Sequence, residues 1–349
     1  MKVLVAMSGG VDSSLAAALL AEQGHDVIGV TLHLWDAEGE DKVGRCCAPE
    51  DRDDARRTCE LLGVPHYVID ERDAFKHQVV DPFVTTNLAG QTPIPCVACN
   101  QTVKLGRLDE IADSFGAAAI ATGHYARLQP TAANQVELLR GKDESKDQSY
   151  FLFGVPQRVL ARLLLPLGDM HKHEARAHAQ RLGLPNWNKP DSQELCFVPD
   201  GDVSGFVARR AGEPVQGDVV DESGARLGRH RGIAGFTVGQ RRGLGIPGKE
   251  PRYVLRVVPE RGEVVVGPAE RLLSHALRAR GVIWTSGEPD GPFDAQVRIR
   301  SRHRPAQARV IPVPHGFEAL FEVPQSAIAP GQAAVVYEGE RVIGGGFIT

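Results

Sequence analysis

The 349-residue sequence contains no apolar run long enough to cross a bilayer, which excludes a helical membrane-spanning protein. It has no basic, then apolar, leader before its first strand pattern, so a cytoplasmic location and no membrane partner are expected. The glycine turn near the start of the chain lacks the marks of two common phosphate-binding patterns. No Gly-Lys-Ser/Thr follows it, so it is not a Walker A loop, and it does not have the G-x-G-x-x-G spacing, so it is not the Rossmann dinucleotide fingerprint. The six cysteines include a single C-x-x-C, Cys96-Val97-Ala98-Cys99. A structural zinc site usually needs two such pairs, and the adjacent Cys46-Cys47 chelate poorly, so no metal site is expected among them. No internal repeat or low-complexity segment is present.

What is there begins with composition. With 42% hydrophobic and 24% charged residues, the chain is an ordinary globular one, long enough for two or three domains. The formal net charge of −4 hides an uneven distribution. Between Gly205 and Val310 there are 19 basic and 11 acidic residues, a balance of +8 that leaves −12 to the remainder. Lys249 is the lone lysine among those 19. Arginine makes planar, multidentate contacts with phosphate, so an acidic half joined to an arginine-rich half fits an RNA-processing enzyme, although solvated surface charge would give the same count.

The strongest local signal is at the start. Val3-Leu4-Val5-Ala6-Met7 reads as a buried strand, Ser8-Gly9-Gly10-Val11-Asp12-Ser13-Ser14 as a turn into a helix, and Leu15, Ala16, Leu19 and Leu20 recur at helical spacing. Unpaired N–H groups at a helix start favour anions, and glycines let a phosphate come close. This turn resembles the PP-loop of ATP pyrophosphatases, which adenylate a substrate oxygen and release pyrophosphate.

Further along, Val27–Leu32, His66–Ile69 and Ala117–Ala121 read as strands, separated by helix patterns over Asp53–Leu62 and Val103–Phe115. This alternation predicts an α/β fold whose N-terminal domain, residues 1–200, is a doubly wound parallel sheet with its ligand at the C-terminal strand ends. Cys59 falls on the apolar face of its helix and reads as core. After about Pro199, turn residues and short Val/Ile runs such as Tyr253–Val258 and Glu263–Val266 predict a small β-rich central domain, residues 201–270. Gln296–Arg300, Ala308–Ile311, Phe317–Phe321 and Ala333–Tyr337 predict a C-terminal β-barrel-like domain over residues 271–349. Strand alternation would place Arg298, Arg300, Arg302 and Arg304 on one face, suited to RNA phosphate.

The C-x-x-C admits a redox pair or a catalytic thiol beside a nucleotide site, and Cys196 sits among polar neighbours that suggest a loop. Taken together, SGGVDSS at Ser8–Ser14, CCAPEDRDDARR at Cys46–Arg57, CVACN at Cys96–Asn100, ATGHYAR at Ala121–Arg127, KDQSYFL at Lys146–Leu152, DSQELCFV at Asp191–Val198, VGQRRGLGI at Val238–Ile246 and PQSAIAPGQAAVVY at Pro324–Tyr337 resemble, over nearly the whole chain, the tRNA-specific 2-thiouridylase MnmA family.

That resemblance implies ATP-dependent 2-thiolation of the wobble uridine, position 34 of certain tRNAs, in the cytoplasm. ATP, with Mg²⁺, adenylates the C2 oxygen, and sulfur comes from an enzyme persulfide loaded by a cysteine desulfurase or a relay carrier protein. It implies Cys99 as nucleophile and Cys196 as persulfide carrier, the two forming a disulfide in one state. It places ATP on Ala6, Met7, Ser8, Gly9, Gly10, Val11, Asp12 and Ser13, with Leu32 and Gly123 on the adenine side. Asp12 either assists Mg²⁺ or caps the helix. tRNA contacts fall on His124, Lys146, Asp147, Gln148, Arg300, Ser301 and Gln332; from the residues alone His124 also reads as structural, and Lys146–Gln148 as a solvated loop. The chain departs from the family at Cys96, where many relatives carry an acidic residue given an acid/base role, and at Arg300-Ser301, where Arg-Tyr is usual.

Overall fold

The computed structural model covers residues 1–349, and its described residues are all except 37–48, 134, 192–194, 213 and 249. Cys46 and Cys47, and the Ser192–Glu194 part of the DSQELC motif, lie outside the described residues. The chain divides into two compact units, one of residues 1–79, 96–199 and 340–342, the other of 80–95, 200–339 and 343–349.

The first unit is built on a parallel sheet. Its strands are β1 (Lys2–Ala6), β2 (Asp26–His33), β3 (His66–Asp70), β4 (Ala119–Ala121) and, after a hairpin of β5 (Ala126–Pro130) and β6 (Val136–Arg140), the short β7 (Leu163–Leu164). The sheet order is β3-β2-β1-β4-β7, with Lys2 opposite Asp26, Val3 opposite Ala119 and Ile120 opposite Leu163. Val3, Leu4 and Val5 are fully buried because both faces of β1 are covered. On one face Val3, Val5 and Met7 pack with Ala17 and Leu20 of the helix Val11–Glu22 and with Ala55 and Cys59 of the helix Pro49–Leu62. Cys59 is thus core, as its spacing predicts, and burial pushes its thiol up to about 11. The helix Leu105–Ser114 packs on β1 and β4. The helix Val11–Glu22 is apolar on a second side as well: Val11, Leu15 and Ala18 meet Ala175 and Ala179 of the helix Lys172–Arg181. That is why its sequence shows almost no amphipathic stripe.

The second unit holds two β structures. Tyr253–Val258, Glu263–Gly267, Gly217–Val220 and Arg226–His230 form, in that order, a four-stranded sheet around Val219, Val254, Val264 and Val266. Six antiparallel strands, Leu273–Trp284, Gly316–Ser326, Ala306–Val313, Phe293–Arg298, Ala333–Glu338 and Arg341–Ile348, close into a barrel when Ala279 of the first pairs with Ile348 of the last. Val297, Val310, Phe317, Ala319 and Val336 fill it. The helix Asp81–Leu88 belongs to this unit too, with Phe83 set edge-on to Phe206 at 6.1 Å.

One expectation is overturned. Arg298–Arg304 is not a strand: the strand ends at Arg298, whose side chain is buried and donates to the Ser301 carbonyl, while His303 N–H donates to Arg300 O at 3.0 Å. These bonds close a turn, which breaks the alternation. Arg300, Arg302 and Arg304 are exposed on it, and Arg298 is part of the barrel wall.

Candidate active site

The turn between β1 and its helix is held from inside. Ser13 Oγ donates to Gly10 O at 3.0 Å and accepts from Ser8 N–H at 3.1 Å, so these hydroxyls shape the loop. Gly9 has φ +73°, and a Cβ there would lie 2.1 Å from the carbonyl oxygen of Asp51. Asn186 Nδ2 donates to Gly9 O and to Ser14 Oγ, each at 2.9 Å, and Lys189 Nζ reaches Gly9 O at 3.3 Å while paired with Asp51 and Asp54. No local pattern marks Asn186 or Lys189 as partners of a turn so far away in sequence.

Above the turn, at the C-terminal ends of β1, β2 and β4, lies a cavity of about 200 Å³. Seven residues expected to hold ATP line it: Ala6, Met7, Ser8, Asp12, Ser13, Leu32 and Gly123. Gly9, Gly10 and Val11 form the turn itself. His124 and Gln148, expected at the target nucleotide, line the same cavity, together with Val30, Thr31, Leu34, Lys104 and Thr122. Apolar Met7, Val30, Leu32 and Leu34 suit the face of a base, and the serine turn with Lys104 suits phosphate. A Cβ at Gly123 would stand 2.5 Å from the backbone of Asp12, so the wall opposite the turn also needs glycine.

Of the two roles that the sequence offers Asp12, helix capping is not what the carboxylate does. Gly10 is the N-cap, with no side-chain cap. Both Asp12 oxygens instead accept from Lys172 Nζ, at 2.8 and 2.7 Å, and Tyr125 Oη donates at 2.8 Å. Burial and the Asp12 charge push the Tyr125 phenol far up. Lys172 also meets Asp191 at 2.9 Å, as do Lys146 at 2.7 Å and Arg176 at 3.0 Å. Burial alone would raise the Asp191 carboxyl, but the bonds from Lys146 and Lys172 outweigh it and hold it at about 2.

His124 Nδ1 lies 2.8 Å from Thr122 Oγ1, and burial, aided by the charge of Lys104, pushes the imidazole down to about 3. It is therefore neutral at physiological pH. The sign follows: a depressed histidine stabilises the fold above the unfolded-state value, and that stability is lost as pH falls below it. Acidification from neutrality to pH ~5 should cost up to about 2 kcal/mol through this residue. Urea unfolding at both pH values is expected to show a shallower loss in His124→Gln.

Cys99, 5% exposed, opens a wide helical turn, Cys99–Lys104, whose far end lines the cavity through Lys104. Cys96 is exposed, three residues away on the preceding turn. Cys196 is half-buried in a loop bridged by Leu195 and Val198, as its polar neighbours suggest. Its neighbour Phe197 packs edge-on against Phe75 at 5.7 Å and Trp35 at 6.4 Å, and the segment Arg72–Phe75 packs on the Cys99 turn. Of the remaining sites, Lys146 is half-buried on Asp191, and Gln148 Oε1 accepts from Tyr125 N–H at 2.8 Å. Asp147 is buried, accepting from the N–H groups of Gly141 and Ser149, so it shapes the loop from within. In the second unit Arg300 donates to Ser326 O, Ser301 is half-buried, and Gln332 donates to Thr92 O at 3.0 Å. Among the described residues no group of three or more acidic, His or Cys side chains could hold a metal, and no helix is long and apolar enough to cross a membrane.

A parallel sheet, a glycine-serine turn and a cavity at the strand ends, beside a thiol-bearing turn, define an α/β enzyme of the PP-loop type. Family models match the chain in three stretches: a tRNA methyl transferase HUP domain over residues 1–200, a tRNA methyl transferase PRC-barrel domain over 204–268 and an aminomethyltransferase β-barrel domain over 274–348. The tRNA-specific 2-thiouridylase MnmA of Syntrophotalea carbinolica is 48% identical over 99% of this chain and 98% of its own length. That of Solibacter usitatus is 46% identical over 99% and 98%. Among solved structures, a 4-thiouridine synthetase–RNA complex with bound ATP is 18% identical with a TM-score of 0.37, over 57% of this chain and 45% of that one, too weak a likeness to carry an assignment. The chain belongs to the tRNA-specific 2-thiouridylase MnmA family.

Proposed function

We propose that this chain is a tRNA-uridine 2-sulfurtransferase that converts the wobble uridine, position 34, to 2-thiouridine with release of AMP and pyrophosphate. The observation that carries it is the cavity, on which the nucleotide turn, the Gly123-His124 wall and the turn beginning at Cys99 converge. ATP binds on the Ala6–Ser13 turn with its base toward Leu32 and Gly123. Asp12 is the carboxylate among the described lining residues that would serve the accompanying Mg²⁺. The uracil C2 oxygen attacks the α-phosphorus and pyrophosphate leaves. A uracil oxygen is a poor leaving group, and on AMP it becomes a good one. The terminal sulfur of a Cys196 persulfide then bonds to C2 and AMP departs. The Cys99 thiolate breaks the S–S bond, leaving sulfur on the base and a Cys99–Cys196 disulfide that an external thiol must reopen. A cysteine desulfurase or relay protein reloads Cys196. Uridine reaches the cavity by leaving its stack, where His124 and Gln148 would meet it.

In this reading residues 1–200 catalyse, and residues 201–270 and 271–349 grip the tRNA. The exposed Arg300, Arg302 and Arg304 supply charge where no tyrosine is present to stack. Replacing all three with alanine should weaken tRNA binding and flatten the slope of log affinity against log salt by roughly two, as two to three phosphate contacts are lost. Filter binding across a salt series measures this.

The test of the function is mass spectrometry of a wobble-uridine tRNA transcript after incubation with the protein, ATP, Mg²⁺ and a persulfide donor. ATP-dependent 2-thiouridine is expected. A methylated uridine, which differs in mass from the thiolated one, or unmodified uridine would overturn the assignment.

A further inference from the structure

The C-x-x-C carries one thiol that the proposed reaction does not use. Cys96 is exposed, Cys99 is 5% exposed, and Val97 between them is fully buried. Both cysteines sit on one stretch of helix. Pro95–Ala98 runs straight into the wide turn Cys99–Lys104, and Ala98 at the junction has φ −57° and ψ −44°. Residues three apart on a helix are neighbours, with roughly 5–6 Å between Cβ atoms, and the later side chain leans back over the earlier one. A disulfide needs about 3.5–4.5 Å between Cβ atoms, so a small adjustment of this turn joins the two sulfurs.

The reaction scheme ends on a Cys99–Cys196 disulfide. A thiolate reopens a disulfide only by reaching one of its two sulfurs. Cys99 is buried, and Cys196 is half-buried in a segment whose Phe197 packs on Phe75, next to the Cys99 turn. A reductant the size of a protein is thus shut out of the Cys99 sulfur and hindered at the other. A thiol three residues away on the same helix is not, and it acts at an effective concentration that no dissolved thiol matches.

We propose that Cys96 is the resolving thiol that reopens the Cys99–Cys196 disulfide after each turnover. The proposal rests on the persulfide reading of the reaction. The Cys96 thiolate attacks Sγ of Cys99, the Cys99–Cys196 bond breaks, and its electron pair leaves on Cys196 as a thiolate. A Cys96–Cys99 disulfide forms in its place, with one sulfur at the surface, so this exchange is redox-neutral. Cys196 is at once ready for the next persulfide sulfur. A dithiol reductant of the thioredoxin class then attacks the exposed Cys96 sulfur and supplies the two electrons and two protons that restore both thiols. The external thiol that the scheme requires therefore enters through Cys96.

The experiment runs one turnover of the persulfide-loaded protein with wobble-uridine tRNA, ATP and Mg²⁺ and no reductant. The reaction is quenched with N-ethylmaleimide, and peptide mass spectrometry locates the disulfide. Cys96 and Cys99 fall in one tryptic peptide, His77–Lys104. In the parent that peptide should be internally linked and Cys196 alkylated, whereas in Cys96→Ser it should be joined to the Cys196 peptide. Multiple turnover with reduced thioredoxin as the sole reductant should slow by at least about ten-fold in Cys96→Ser, with the first-turnover yield of the parent. Dithiothreitol, small enough to enter at Cys196, should restore the rate. Cys96→Ala repeats the test without a hydroxyl. A parent disulfide anywhere but between Cys96 and Cys99 overturns the resolving role and leaves the thiolation standing. So does a Cys96→Ser variant that keeps the parent's rate with thioredoxin, or one that fails in its first turnover. A parent that makes no 2-thiouridine overturns both the persulfide reading and the role built on it.

Discussion

Cys99→Ser should abolish 2-thiouridine formation, by at least about a thousand-fold, while pyrophosphate is still released in the presence of tRNA. A hydroxyl of the same shape cannot attack a disulfide sulfur at neutral pH, because the reaction needs a thiolate and a thiol-like leaving group. The two cysteines are not equivalent in this scheme, and that makes the prediction sharp. With Cys99 removed, the persulfide on Cys196 can still bond to the activated C2, and the product remains joined to the enzyme through Cys196. Cys99→Ser should therefore accumulate a protein–RNA adduct, visible on a denaturing gel and released by dithiothreitol. Cys196→Ser should give no thiolation and no adduct. Cys96→Ser, at an exposed position on the preceding turn, should retain most single-turnover activity. If Cys96→Ser traps the adduct and Cys99→Ser does not, the two thiols of the C-x-x-C have exchanged roles. If neither variant nor the parent forms adduct or product, the persulfide route falls.

The difference among the cysteines shows what the sequence makes legible. Cys59 is readable as core because Ala55, Cys59 and Leu62 repeat at helical spacing, and it is 1% exposed against the sheet. The strand, turn and helix from Val3 to Leu20 are equally readable, since an apolar run, two glycines and a helical repeat are all local signals. Four of the six barrel strands come through as short apolar and β-branched runs, while Leu273–Trp284 and Arg341–Ile348, the two that pair to close the barrel, do not. What fails is any feature made by distant residues. Asp12 reads locally as a helix cap, but Gly10 is the N-cap and the Asp12 carboxylate pairs with a lysine 160 positions away. Asn186 holds Gly9 from 177 positions away. The Arg298–Arg304 alternation misleads for the opposite reason: the period is real in the sequence, but a buried guanidinium that bonds the Ser301 carbonyl turns the chain before the period can act.

Gly9→Ala should remove ATP binding, with loss of at least about a hundred-fold in affinity, while Gly10→Ala one residue on should be tolerated. The two glycines look alike in the sequence and differ in what surrounds them. Gly9 is left-handed, at φ +73°, which costs an alanine roughly 1–2 kcal/mol, and its new methyl would overlap the Asp51 carbonyl at 2.1 Å. Relief requires the turn and the start of the helix Pro49–Leu62 to part, breaking the clamp in which Lys189 bonds both Gly9 O and Asp51. Gly10 has an ordinary φ of −86°, and its methyl would meet only Ser8 Oγ, at 3.5 Å. Gly123→Ala should resemble Gly9→Ala, because its methyl presses on the backbone of Asp12 from the other side of the cavity. Calorimetric titration with ATP measures the affinities, and circular dichroism with urea unfolding separates a lost site from a lost fold. ATP bound equally by Gly9→Ala and parent would show that the turn does not carry the phosphates.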